Sequence, residues 1–266
     1  VLSNYKSYWI HVTTAEYFGL IDTSADWIVK GSEIVGQSSG ASYSDGYHGA
    51  SVTTNYNGTI ITATGYNTNY GTNNYGYAQM YKYSDISGGW SQLGQTIQGG
   101  DMWTGYPSAS LSYYGEVVAL ANRGNYSGVF HVYKYSSANE LLEQIGTDVD
   151  IDAVRTTARS LSLYSDDADA HIVAVGTPYP SDTDLSNGCV RVYSWSVNDA
   201  AWNQLGDNLV GVPTQVTTDG NDIAFGYSIS LNSDDGTVLA VGIPFQSTST
   251  NTDVGQVKVY KYSSTD

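Results

Sequence analysis

The chain has 266 residues, only 14% of them charged, and its 26 acidic against 10 basic residues leave a formal charge of −16. A surface of that sign repels phosphate backbones and anionic lipid heads, which argues against nucleic acid and membrane surfaces and favours cations, proteins or glycans as partners, and no apolar run approaches the roughly 18 residues a membrane helix needs for direct insertion. The single cysteine, Cys189, excludes an internal disulfide framework, and its place in an alternating strand reads as a small buried apolar residue.

Taken in order, the segments recur as a four-strand unit. Unit one (residues 1–36) has a first hairpin over Val1–Val12, a third strand at Tyr17–Ser24 and a fourth at Trp27–Gly31. Unit two (47–99) has Ala50–Thr54, Thr59–Gly65, Tyr77–Ser84 and the phrase Trp90-Ser-Gln-Leu-Gly94. Unit three (106–149) runs from Pro107–Leu111 to Leu141-Leu-Glu-Gln-Ile-Gly146, where leucine replaces the tryptophan. Unit four (158–211) runs from Arg159–Leu163 to Trp202-Asn-Gln-Leu-Gly206 and Leu209. Unit five (225–266) has Phe225–Leu231, Val238–Pro244 and the third strand from Gly255 to Ser263.

The third strand is the clearest mark, a phrase G-x-V-x-V-Y-K-Y-S whose shared tyrosines, Tyr81, Tyr133, Tyr193 and Tyr260, step by 52, 60 and 67 residues. Alternation, β-branched and aromatic residues and glycine-containing turns give strands, and helical periodicity is absent. Four antiparallel strands repeated at such a period predict an all-β fold, a β-propeller of about five blades. The layout opens on a first strand and stops after a third. Either the chain is a stretch of a larger ring, or a five-bladed ring leaves one blade a strand short.

Phe225-Gly226 opening a first strand, Val241-Gly242-Ile243-Pro244 closing a second, and Gly255 opening the third resemble the FG-GAP repeat of integrin-α-type propellers. Val175-Gly176-Thr177-Pro178 followed by Gly188 repeats the pattern in unit four, while units one to three lack the proline. The resemblance implies a seven-bladed ring, an extracellular or cell-surface setting, an adhesive or structural role and calcium bound in the hairpin between strands one and two.

Hard cations want six or more oxygen ligands. Most of the corresponding hairpins, Asn55–Gly58 and Tyr113–Glu116 among them, are too short or too poor in acids and read as plain turns. Two acidic segments remain as candidate calcium sites: Asp166, Asp167 and Asp169 in the unit-four hairpin, and the alternating Asp148, Asp150 and Asp152. The histidines (His11, His48, His131, His171) are scattered, and no zinc spacing, nucleophile elbow or phosphate loop occurs. The expectation is therefore a non-catalytic module for adhesion, structural assembly or protein and glycan binding. The alternatives are a lectin-like five-bladed propeller and a propeller glycoside hydrolase or lyase. Asn57-Gly-Thr59 and Asn125-Tyr-Ser127 are glycosylation sequons. The paired tyrosines of Y-K-Y share one strand face and are expected to pack between blades. The loop carrying Tyr66, Tyr70 and Tyr75 is the candidate contact surface.

Overall fold

A computed structural model describes residues 28–36, 48–66, 76–98, 105–123, 128–151, 158–179, 187–212, 223–248, 251 and 253–263. Among these residues the chain is all β, in four antiparallel sheets. The first takes β1 (Ser51–Thr54), β2 (Ile60–Tyr66), β3 (Gly76–Ser84) and β4 (Gly89–Gln98) in sequence order. The second takes β5 (Gly105–Leu111), β6 (Val117–Arg123), β7 (Gly128–Ser136) and β8 (Leu141–Gln144), with β9 (Val149–Asp150) returning to pair with β7. The third repeats this layout with β10 (Ser160–Ser165), β11 (His171–Thr177), β12 (Cys189–Ser196), β13 (Ala201–Gln204) and β14 (Leu209–Val210). The fourth has β15 (Ser228–Leu231), β16 (Val238–Ile243) and β17 (Gln256–Lys261). Unit one, apart from residues 28–36, lies outside the described residues.

The sheets stack face to face, with an apolar cluster between each successive pair. Met80, Leu111, Val118 and Leu120 join the first sheet to the second. Phe130, Val132, Leu161, Val173 and Val175 join the second to the third. Val190, Phe225, Leu239, Val241 and Ile243 join the third to the fourth. The second strands of the second and third sheets read as unbroken apolar runs because both of their faces are covered: Val117 to Ala121 and Val173 to Val175 are all buried. Each fully buried Val or Phe in these layers contributes about 1.5–3 kcal/mol relative to exposure.

In the second, third and fourth sheets the first tyrosine of the Y-K-Y phrase, and in the second sheet both, pack toward the preceding sheet. Tyr133 and Tyr135 join the first cluster, Tyr193 the second and Tyr260 the third. The repeated phrase is thus a packing device between sheets. Gly188 and Gly226 serve the same contact by absence of bulk. A side chain on Gly188, whose φ is 95°, would run into the backbone of Phe225, and one on Gly226, whose φ is 84°, into Val190 and Cys189.

The Trp-x-Gln-Leu-Gly phrase also has a physical account. The indole of Trp90 donates to the Lys30 carbonyl at 2.8 Å and that of Trp202 to the Ile145 carbonyl at 2.9 Å, so each reaches back to the preceding unit. The glutamine holds the reversal that follows. Gln92 donates to the Gly94 carbonyl and to Thr96, and Gln204 to the Gly206 carbonyl and to Asn208, around glycines with φ of 73° and 75°. In the second and third sheets this reversal splits the outer strand, so that β9 and β14 pair back to the third strand as separate pieces. Where Leu142 replaces the tryptophan, its side chain lies against Gly94 and its backbone is gripped at both ends by the Gln95 amide, each bond 2.7 Å.

Candidate functional site: a tyrosine platform

The hairpins joining first to second strands gather at one end of the sheets. Two of them form the largest exposed aromatic group among the described residues. Tyr56 and Tyr113 stack with ring centroids 4.7 Å apart and planes 9° from parallel. Tyr114 stands edge-on to both, at 5.6 and 5.0 Å. The three rings remain 46%, 47% and 56% exposed. An open, pre-stacked aromatic surface of this kind presents ring faces to a ligand, where offset stacking and C–H contacts add to area burial.

Two buried polar side chains hold the platform in shape. Asn55 accepts from the amides of Thr59 and Ile60, at 2.9 and 3.0 Å, and donates to the Tyr114 carbonyl at 3.0 Å. The Tyr56 amide donates to the Tyr113 carbonyl, also at 3.0 Å. From the other side, Asp167 of the third sheet takes the Ser112 hydroxyl and the amides of Tyr114 and Glu116, the last two at 3.2 and 3.0 Å. The Asp167 backbone sits at a φ of 61°, which an aspartate tolerates better than a bulky residue and which turns the carboxylate across the gap between sheets. Its amide donates to Ser165, whose hydroxyl meets Nδ1 of the buried His171 at 2.9 Å. The hairpin of unit three is therefore fixed from both neighbours, so its two tyrosines do not have to be ordered by a ligand.

This arrangement corrects the calcium expectation for the unit-four hairpin. The Asp166 carboxylate accepts from the amides of Ala168 and Ala170, and that of Asp167 is spent on unit three, so the two do not turn toward one centre. Burial opposes ionisation of Asp166, yet those backbone amides and the nearby His171 hold its carboxyl below the usual range. Asp169 is exposed. In the other acidic segment, Asp148 contacts Nδ1 of His131 at 2.9 Å and accepts from Gln144 at 2.7 Å. Burial again opposes, but Gln144 first and then His131 keep Asp148 below the carboxylate norm. Asp150 lies in β9 opposite Val129, and Asp152 is outside the described residues. Among the described residues, no three of His, Cys, Asp and Glu converge where a metal could be held.

His131, Gln144 and Asp148 occupy the same places as Gln79, Gln92 and Thr96 in the first sheet and Arg191, Gln204 and Asn208 in the third. The His–Asp contact is one version of a repeated clamp on the outer strand. Of the proposed contact surface, Tyr66 pairs with Gly76 as the last residue of β2, and Tyr70 and Tyr75 lie outside the described residues. Asn57 is exposed, with its side-chain oxygen taken by Thr59; Asn125 lies outside the described residues. In the sequence the hairpins that carry the platform tyrosines read as plain turns. The one signal that pointed to them was the doublet Tyr113-Tyr114 in a turn, where large aromatic rings have nothing local to bury against.

No family model matches the chain, and neither does any curated protein. Solved structures are similar to it over much of its length. A putative 6-phosphogluconolactonase from Bacteroides uniformis is similar over 83% of this chain and 51% of its own, at 12% identity and a TM-score of 0.48. A second, from Bacteroides fragilis, is similar over 82% and 55%, at 12% identity and a TM-score of 0.40. An oligogalacturonate lyase from Vibrio parahaemolyticus is similar over 84% and 68%, at 10% identity and a TM-score of 0.36. The chain spans about half the length of the first two.

The expectation of a non-catalytic adhesive or structural module is corrected at this point. The similar structures named here are two described as putative 6-phosphogluconolactonases and an oligogalacturonate lyase, so they lend that expectation no support. At these identities and TM-scores the likeness transfers no activity to this chain.

Proposed function

We propose that the protein is a carbohydrate-binding β-propeller, its five sequence units being the blades, with the Tyr56–Tyr113–Tyr114 platform as the sugar-contact surface. The observation that carries this reading is three exposed tyrosine rings, stacked in advance and anchored from both neighbouring sheets by Asn55 and Asp167. Sugar rings offer apolar C–H faces that lie on aromatic rings, while their hydroxyls take polar groups at the rim, here the exposed Asn57 and Glu116 beside the tyrosines in sequence. The chain's charge of −16 favours neutral over uronic or sulfated sugars. The equivalent turns of units four and five carry Asp166-Asp167 and Ser233-Asp234 instead of tyrosines, so one site is expected rather than five.

Glycan-array screening followed by calorimetry tests the reading. Saturable binding of a neutral oligosaccharide at a stoichiometry near one, weakened at least tenfold in Tyr113→Ala, supports it. Absence of saturable binding, or binding that Tyr113→Ala and Tyr56→Ala leave unchanged, overturns it.

A further inference from the structure

A chain of buried hydrogen bonds runs from His171, the first residue of β11, to the tyrosine platform. Nδ1 of His171 meets the Ser165 hydroxyl at 2.9 Å across the hairpin, where the two residues stand opposite each other. The same hydroxyl oxygen accepts from the Asp167 amide at 2.9 Å, and the Asp167 carboxylate takes Ser112 and the amides of Tyr114 and Glu116. Ser112 continues the chain by accepting from the amides of Gly115 and Val117, at 3.2 and 3.0 Å. His171, Ser165, Asp167 and Ser112 are all buried. The place of His171, two before the residue opposite the shared tyrosine, holds Thr59, Glu116 and Thr237 in the other sheets. An imidazole is therefore peculiar to the hairpin that latches the platform.

The hydrogen count fixes the state of the ring. A serine hydroxyl has one hydrogen to donate. Its oxygen already accepts the Asp167 amide, so that hydrogen points to Nδ1 and the ring carries its proton on Nε2. Burial favours this neutral form and pushes His171 below its ordinary value of 6.5. Of the charges around it, Asp166, Asp167 and Asp169 of its own hairpin oppose that shift and Lys134 of β7 adds to it. Trp202 of β13, its ring centroid 6.5 Å away, carries no charge. A second ring proton reverses the bond to Ser165. Nδ1 then donates, the Ser165 hydroxyl hydrogen loses its acceptor inside the hairpin, and an imidazolium competes with Ser112, Tyr114 and Glu116 for the Asp167 carboxylate.

We propose that His171 is the pH sensor of the platform, ordering the Tyr113–Tyr114 turn when neutral and releasing it when protonated. The signal passes through Ser165 and Asp167 and arrives at the two amides that Asp167 holds. For ligand capture this rests on the sugar-binding reading, which it deepens: the platform is ready-made near neutrality and loosened in acid. The loosening itself needs no sugar. The hairpin of unit two is closed by Asn55 on its own amides and keeps its shape, so one half of the Tyr56–Tyr113 stack moves against the other.

Hydrogen exchange read by mass spectrometry on the unliganded full chain tests this at pH 7.5 and pH 5, with rates corrected for the intrinsic effect of pH. Protection of residues 112–117 is expected to fall at least tenfold on acidification, while that of β16 changes less than twofold. His171→Asn places an uncharged oxygen where Nδ1 accepts from Ser165, and its residues 112–117 are expected to keep their protection within twofold at both pH values. Ser165→Ala serves as a second variant should His171→Asn fold poorly. It retains the imidazole but cuts the chain, and its residues 112–117 are expected to exchange equally fast at both. Unchanged protection of residues 112–117 in the parent overturns the proposal. So does an equal loss in β16, which would make the acid effect a general loss of stability, and so does a pH response that either folded variant retains. The two readings fail separately: a glycan array that selects no sugar leaves the exchange result intact, and flat exchange leaves the sugar platform standing.

Discussion

Replacing Asp167 tests whether the tyrosine platform is held by its neighbours. The carboxylate, itself 9% exposed, accepts from Ser112, Tyr114 and Glu116 on the adjoining sheet. Hydrogen bonds to a charged acceptor contribute about 1.5–3 kcal/mol each, and a buried donor left without a partner costs about 1–3 kcal/mol. The three are coupled and two of the donors are only part-buried, so Asp167→Ala is expected to destabilise the fold by about 4 kcal/mol rather than their sum. Part of that loss comes from placing alanine at a φ of 61°, roughly 1 kcal/mol. Asp167→Gly relieves the backbone cost and is expected to lose about 3 kcal/mol. Asp167→Asn keeps one acceptor and the backbone tolerance, and is expected to lose about 1–2 kcal/mol. Urea unfolding read by circular dichroism gives the series, with its m-value checking that each variant unfolds from the same compact state. A loss below 1 kcal/mol for Asp167→Ala, or no ordering among the three, would refute the latch. The same variants should weaken sugar binding through a loosened Tyr113–Tyr114 turn even where the fold survives.

Two further outcomes follow from the packing and the buried imidazoles. Trp202→Phe removes the hydrogen bond to the Ile145 carbonyl while keeping a ring against Gly146, and is expected to cost about 1 kcal/mol in urea unfolding; Trp202→Ala, which removes the ring as well, is expected to cost about 3 kcal/mol. Burial pushes His48 and His171 below their ordinary value of 6.5, so the folded chain holds them neutral where the unfolded chain binds protons. Stability should therefore fall as pH drops through about 6.5 and level off below the folded values. The carboxyls of Asp148, Asp166 and Asp235, the last brought down to about 2 by Asn232 and Thr237, are held below 3.8 and act only in stronger acid. Their stabilisation is present above that range and lost as pH falls through their folded values, so they leave the window between pH 7.5 and 5 to the histidines. A melting temperature that is flat across this window, or a slope that His171→Gln does not reduce, would show that the imidazoles are not buried neutral.

The sequence by itself determined the repeating element. Alternating apolar residues, the Y-K-Y phrase and the glycine-closed turns specify strands and their order, because strand periodicity and turn chemistry are local properties. Burial of the Y-K-Y tyrosines between sheets was also legible, since residues two apart share a face. What the hairpins do was not. Asp166 and Asp167 suggested a cation site, since spacing counts ligands without showing which way each carboxylate turns. The fold sends Asp167 across to the amides of Tyr114 and Glu116 and leaves Asp166 capping its own turn. Likewise Tyr56 and Tyr113 lie in hairpins 57 positions apart, and only the stacking of one sheet on the next brings their rings into contact. Strand identity follows from neighbours along the chain, whereas the platform arises between units, where contact depends on how the sheets pack.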